Sequence, residues 1–206
     1  MKLLLYGIVR VHSNLPLTTG VGGIPVSLQD VEGITVVYSR HANDAPPNSP
    51  DDLREFHRVI SAVVSETDIV PFRFATSIEE ETLSSALGAR ASIFRDALAD
   101  ISGCVQMDIQ QPTQAESVRP SSGRMYLEQK LKSACRLSHA CAEASDHFGH
   151  ATRSMKVTER RGDTVLCALV PRERQTEFMS LAREKYPEAR ITGPWAPAAF
   201  VAAELT

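Results

Sequence analysis

Five side chains with metal or thiol chemistry crowd one stretch: Cys135, His139, Cys141, His147 and His150. Cys135 and His139 stand four apart, as do Asp146 and His150, while His147 and His150 stand three apart, so pairs of them share a helix face. A zinc site wants three or four ligands converging from several directions, and no Cys-x-x-Cys or His-Glu-x-x-His spacing occurs here. One helix face offers two ligands, so no metal site is predicted and no cofactor is implied. The glycine-rich run "TTGVGG" (18–23) lacks a following Gly-Lys-Ser/Thr and leads into a Pro25-containing strand, whereas a phosphate cradle needs a helix N-terminus. Ser13, Ser121 and Ser122 have no Gly-x-Ser-x-Gly elbow around them. His57 sits one turn from Leu53 and Ile60 and reads as a partly buried histidine, with no motif placing a nucleophile or acid beside it. No catalytic residue is predicted, and the chain reads as a non-enzyme.

What remains is built for contact. The only tryptophan, Trp195, lies between Pro194 and Pro197 in "ITGPWAPAAFVA" (191–202). A Pro-flanked Trp combines a rigid backbone, a large apolar surface and one indole N–H. It either packs into a core or domain seam, in which case Trp195→Ala unfolds the chain, or presents an anchor to a partner. In "PFRF" (71–74), strand alternation sends Arg73 opposite to Phe72 and Phe74. Arginine favours planar, bidentate pairing, so a carboxylate among Glu79, Glu80 and Glu81, or one from the other domain, is its expected partner. Arg73, Phe74, Pro194, Trp195, Pro197 and Phe200 are the candidate partner-binding or domain-seam residues.

The elements that must position them follow from patterning. The chain has 206 residues, 43% hydrophobic and 23% charged, with a net charge of −3. That is ordinary globular composition, without a basic field for nucleic acid and without a membrane-spanning run. The four cysteines fit reduced thiols of a cytosolic protein. The opening "KLLLYGIVRV" (2–11) reads as a strand buried on both faces rather than a signal peptide. Residues 26–28 and 33–39 form a hairpin around 30–33, and Ser49 or Asp51 caps a helix bearing Leu53, Phe56, Ile60, Val63 and Val64. Residues 69–74 are extended, with Pro71 marking a sheet edge or bend. Thr76 or Ser77 then caps a helix that Gly88 stops or bends, and a second helical segment ends at Gly103. Residues 104–111 alternate like a half-exposed strand.

Residues 112–123 are the best linker in the chain, with two prolines and a glycine among polar residues. Residues 124–150 form the longest helix, with Leu127, Leu131, Ala134, Cys141 and Phe148 on one stripe. A hairpin around "RRGD", a helix starting at Pro171 and a last strand follow. The expected fold is α+β: two small ferredoxin-like (split β-α-β) sandwich domains at 1–111 and 124–206 joined by a linker at 112–123, each with helices on one face of an antiparallel sheet, the long helix opening the second.

Three segments together carry a family likeness. "LLLYGIV" (3–9), "VPFRFATSIEEE" (70–81) and "TGPWAPAAFV" (192–201), supported by "FHRVI" and "GRMYLEQK", resemble the gas vesicle protein F/L family over residues 3–201. The chain departs from that family in two places. Ala75 stands where relatives usually have glycine, so the backbone there need not take a positive φ. Ala198 stands in "WAPAAF" where relatives often carry a tyrosine hydroxyl. The resemblance implies an accessory or minor structural protein of gas vesicle assembly, cytoplasmic and vesicle-associated. Its partners would be the small hydrophobic shell protein and other gas vesicle accessory proteins, not nucleic acid or membrane. A reading from another class is a ferredoxin-like regulatory module that binds a small molecule, with residues 17–23 as the lip.

Overall fold

A computed structural model describes residues 1–10, 15, 19–42, 48–111, 122–160, 163–202 and 205. It is α+β, with two antiparallel-rich sheets in two compact units. One unit comprises 1–105 together with 195–206, and the other 106–194. The division differs from the expected 1–111 and 124–206 at both boundaries. The strand at 104–111 serves the second sheet, and the last dozen residues return to the first unit. Most of the expected linker, 112–121, lies outside the described residues, as do Ser13, Leu17, Thr18 and Gly162.

The first sheet is built around β1 (Lys2–Val9), whose aliphatic run is buried from Leu3 to Val9. β2 (Val26–Val31) and β3 (Ile34–His41) form a hairpin closed by Glu32 and Gly33, both at positive φ (49° and 78°). Two left-handed residues give the turn whose twist matches the strands. β3 pairs with β1, and a register shift between Leu5 and Gly7 marks a bulge. A Cβ on Gly7 would stand 2.6 Å from the Ile69 side chain and the Val70 carbonyl, so only glycine lets the neighbouring strand approach there.

The outer edge of β1 is covered in two pieces. β4 (Ile69–Pro71) pairs with Gly7–Val9 and β5 (Ser77–Glu79) with Lys2–Leu4. Pro71, which has no N–H to give, sits on this edge strand as expected. Between the pieces, Phe72 N–H donates to the Tyr6 carbonyl and Leu5 N–H to the Thr76 carbonyl, each at 2.9 Å, so the ladder continues past the gap. The gap is turned by Ala75 at φ 68°. The positive φ therefore persists without glycine, contrary to the expectation from the Ala75 departure. The helix expected to start at Thr76 or Ser77 also starts later, because those residues are taken by β5. α2 (Leu83–Gly88) follows a short turn and stops at Gly88, and α3 is Ala91–Asp100.

Helices lie on both faces of this sheet, not on one. α1 (Pro50–Glu66) begins with a capping box: Asp52 N–H donates to Ser49 Oγ at 3.0 Å and Ser49 N–H to Asp52 Oδ2 at 3.1 Å. Hydrogen bonds given to the carboxylate, first by the Ser49 hydroxyl and then by the Ser49 N–H, hold the Asp52 carboxyl below its usual range. The helix buries Phe56, Val59, Ile60, Val63 and Val64, a full i, i+3, i+4, i+7, i+8 stripe, and leaves Leu53 38% exposed. Phe56 stacks on Tyr6 at 5.1 Å. On the opposite face Leu3, Leu5, Ile8, Ile34, Val36 and Tyr38 join Leu83, Leu87, Phe94 and Leu98 in one core, which Val201 and Leu205 complete.

The second unit runs β6 (Cys104–Gln111), α4 (Gly123–Phe148), β7 (Ser154–Arg160), β8 (Asp163–Pro171), α5 (Gln175–Lys185) and β9 (Arg190–Trp195). Its sheet order, β7-β8-β6-β9, with the β-α-β-β-α-β chain order, is the ferredoxin-like arrangement expected for the C-terminal half, with β6 as its first strand. As an inner strand β6 is buried from Cys104 through Ile109 rather than half-exposed. The two helices meet through Phe148 and Phe178, with ring centroids 5.4 Å apart. α4 turns Ala144 and Phe148 inward, but Leu127 and Leu131, expected on the same inward stripe, are each 67% exposed.

Candidate partner-binding site

The residues singled out from sequence fall into two groups. Arg73 and Phe74 lie in the turn between β4 and β5. Alternation fails there because the strand has ended at Pro71. Phe72 packs edge-on against Phe94 at 5.9 Å on the α3 side, and Phe74 packs edge-on against Phe56 at 5.4 Å on the α1 side. Arg73 is exposed between them. The acidic run does not pair with it. Glu80 accepts from Arg40 Nε at 2.8 Å, and Glu79 and Glu81 each approach the amino group of Met1 at 4.0 Å. Among the described residues Arg73 forms no ion pair.

The second group is the chain's return to the first unit. β9 reaches Gly193 at φ 133°, with a cis peptide to Pro194. A Cβ on Gly193 would lie 2.6 Å from Met107 Sδ and 2.8 Å from the Gln106 carbonyl, so glycine is required for β9 to lie against β6. Pro194 is exposed, Pro197 is buried, and Phe200 is half-buried against the core shared by β1, β3, α2 and α3. Pro197 and Phe200 thus fasten the segment. Trp195 is 45% exposed, so the reading of Trp195 as a core plug does not hold. Phe74 and Phe200 face opposite sides of the first sheet, so the six candidate residues do not form one surface.

Sequence reasoning missed a second exposed apolar set. Met125, Tyr126, Leu127 and Leu131 open α4 and are all exposed. The signal was present, since Arg124–Glu128 ion pairing shows a solvated face there, but the heptad-like stripe read as core. The histidines of α4 go separate ways. His139 approaches Glu143 at 3.7 Å, His150 approaches Glu177 at 3.4 Å, and His147 Nε2 is buried with no hydrogen-bond partner among the described residues. Among the described residues no three His, Cys, Asp or Glu side chains converge to hold a metal. His57, expected to be partly buried, is exposed and edge-on to Phe56. A cavity of about 20 Å³ in the second unit is lined by Ile109, Ala140, Ala144, Val157, Leu166 and Tyr186 among others. That is room for one water, far below the size of a metabolite pocket. Among the described residues no helix is long and apolar enough to cross a membrane.

A family model described as "Gas vesicle synthesis protein GvpL/GvpF" matches residues 2–120, more than half of the chain. The chain belongs to this family. Gas vesicle protein L of Streptomyces sp. (strain CB03234) is 29% identical over 227 aligned positions, covering 88% of this chain and 85% of that protein. Crystal structures of gas vesicle protein GvpF share the fold. The one from Anabaena sp. PCC7120 matches with a TM-score of 0.75 at 15% identity over 98% of this chain and 96% of that one. The one from Microcystis aeruginosa matches with a TM-score of 0.74 at 16% identity over 98% and 99%. The family match places this chain in gas vesicle synthesis. It runs from β1 through β6 and ends before α4 begins.

Proposed function

We propose that the protein acts in gas vesicle assembly by binding the small hydrophobic shell protein and supporting nucleation or growth of the shell. Family membership carries this reading. The physical need is plain, because a subunit with one gas-facing apolar surface associates indiscriminately before it polymerises. A partner with a matching apolar surface holds such subunits apart and sets their geometry. The task is binding, not bond chemistry, and its proposed contact is the segment around Pro194 and Trp195, where an exposed aromatic sits on a fastened backbone. Tryptophan is a favoured anchor type because it buries much area at little entropic cost.

The test is co-expression with the shell protein followed by affinity purification of this chain. Wild type retains the shell protein. Because Trp195 is exposed, Trp195→Ala remains folded, keeps a cooperative thermal transition, and loses roughly tenfold or more in retained shell protein, as a hot-spot truncation does. Failure of the wild-type chain to retain any shell protein would sink the reading. Unimpaired retention by Trp195→Ala would move the contact elsewhere, with the Leu127–Leu131 surface of α4 next in line.

A further inference from the structure

A line of hydrogen-bonded side chains crosses the α1 face of the first sheet and has no part in the partner-binding reading. Val21 N–H donates to Tyr6 Oη at 3.0 Å, Tyr6 Oη lies 3.0 Å from Ser39 Oγ, and Ser39 Oγ lies 2.9 Å from His41 Nε2. Tyr6 and Ser39 are wholly buried, Val21 nearly so, and His41 is half-buried. Gly20 is shaped to this line, because a Cβ there would sit 2.1 Å from the Tyr6 hydroxyl. The residues held at its end form a loop over α1. Gly20 N–H donates to the Ile24 carbonyl at 2.7 Å, Gly22 N–H donates to Glu55 Oε2 at 2.7 Å, and Arg58 donates to the Thr19 carbonyl at 3.0 Å.

The line has a direction set by the imidazole. With His41 neutral and Nε2 an acceptor, every hydroxyl is satisfied in one sense: Val21 N–H to Tyr6, Tyr6 O–H to Ser39, Ser39 O–H to His41. A protonated imidazole must donate from Nε2 as well. Ser39 Oγ then receives that proton, and either the Ser39 or the Tyr6 hydroxyl hydrogen is left without its acceptor inside the sheet. A buried donor deprived of its partner is costly, and opening a joint of the line lets water relieve that cost. Among the described residues, Asp52 on α1 faces His41 and favours the protonated ring, and Lys2 stands opposite it in register on β1. Burial opposes protonation and is the larger influence. Glu55 and Arg58 face the Tyr6 end with opposite signs.

We propose that protonation of His41 loosens the 20–24 loop from the sheet through Ser39 and Tyr6, making this loop a pH-responsive element. The measurement is residue-resolved hydrogen exchange by NMR on the full chain, read as protection factors so that intrinsic rates cancel. On lowering the pH from about 7.5 to the acid limit of the folded state, the Val21 amide loses roughly fivefold or more of its protection, while the Val36 amide of β3 keeps its own. His41→Gln, uncharged throughout and able to accept from Ser39, holds Val21 protection level across the range. Ser39→Ala cuts the line at its middle, so Val21 is less protected at both ends and no longer responds to pH. A level wild-type profile, an equal loss at Val36, or a pH response that survives in His41→Gln overturns the proposal.

Discussion

Ala75 is the residue whose backbone is least suited to its side chain. At φ 68° an alanine carries a steric penalty of about 1 kcal/mol that glycine avoids. Ala75→Gly should therefore raise stability by about 0.5–1 kcal/mol, read as a higher denaturation midpoint with an unchanged m-value; a lower midpoint would refute the strain. The family resemblance made this position conspicuous in the sequence. The wrong inference was that alanine relaxes the backbone, whereas pairing of β4 and β5 on one edge of β1 dictates the turn. His41 sets a second expectation at this scale. Burial lowers its folded pKa below the unfolded value of about 6.5, so the unfolded chain binds more protons in acid. The His41 contribution to stability is complete above that unfolded value and diminishes as pH falls from it towards the folded one. Denaturation of wild type and His41→Gln across this window should show a smaller loss in the variant.

At the scale of elements, local chemistry was readable wherever it acted alone. Ser49, Pro50 and Asp52 write the start of α1, and Glu32-Gly33 write the β2–β3 turn. Removing the cap with Ser49→Ala should cost about 1 kcal/mol, and a change within a few tenths would deny the capping box a stabilising role. Elements decided by distant partners were less readable. Ser77–Glu79 has the composition of a helix start, yet β1 recruits it as a strand. Leu127 and Leu131 keep the spacing of a buried stripe, but the described inward contacts of α4 lie at Ala144 and Phe148. Gly193 reads as a turn glycine and serves instead to let β9 lie against β6. Gly193→Ala should cost about 2–3 kcal/mol in thermal or chemical unfolding, since both its φ and the space beside it are wrong for a side chain.

At the scale of the whole molecule, the chain leaves its first unit after β3, α1, α2 and α3 are complete, builds a ferredoxin-like second unit, and returns through Gly-Pro-Trp. Fold class and family were legible because apolar runs, caps and three ordered segments survive in the sequence. The return of 195–206 was not, because Val201 and Leu205 show no pattern that names the core they fill. That return fastens Pro197 and Phe200 while leaving Trp195 with nearly half of its surface open, which is why the proposed contact is placed there. The most direct measurement is the fate of the shell protein itself. Purified shell subunits would be diluted from denaturant with and without an equimolar amount of this chain, and the soluble and sedimented fractions compared. Shell protein held in the supernatant in a complex with the wild-type chain, and released to the pellet with Trp195→Ala, is the predicted result; identical sedimentation with and without the wild-type chain would contradict the account.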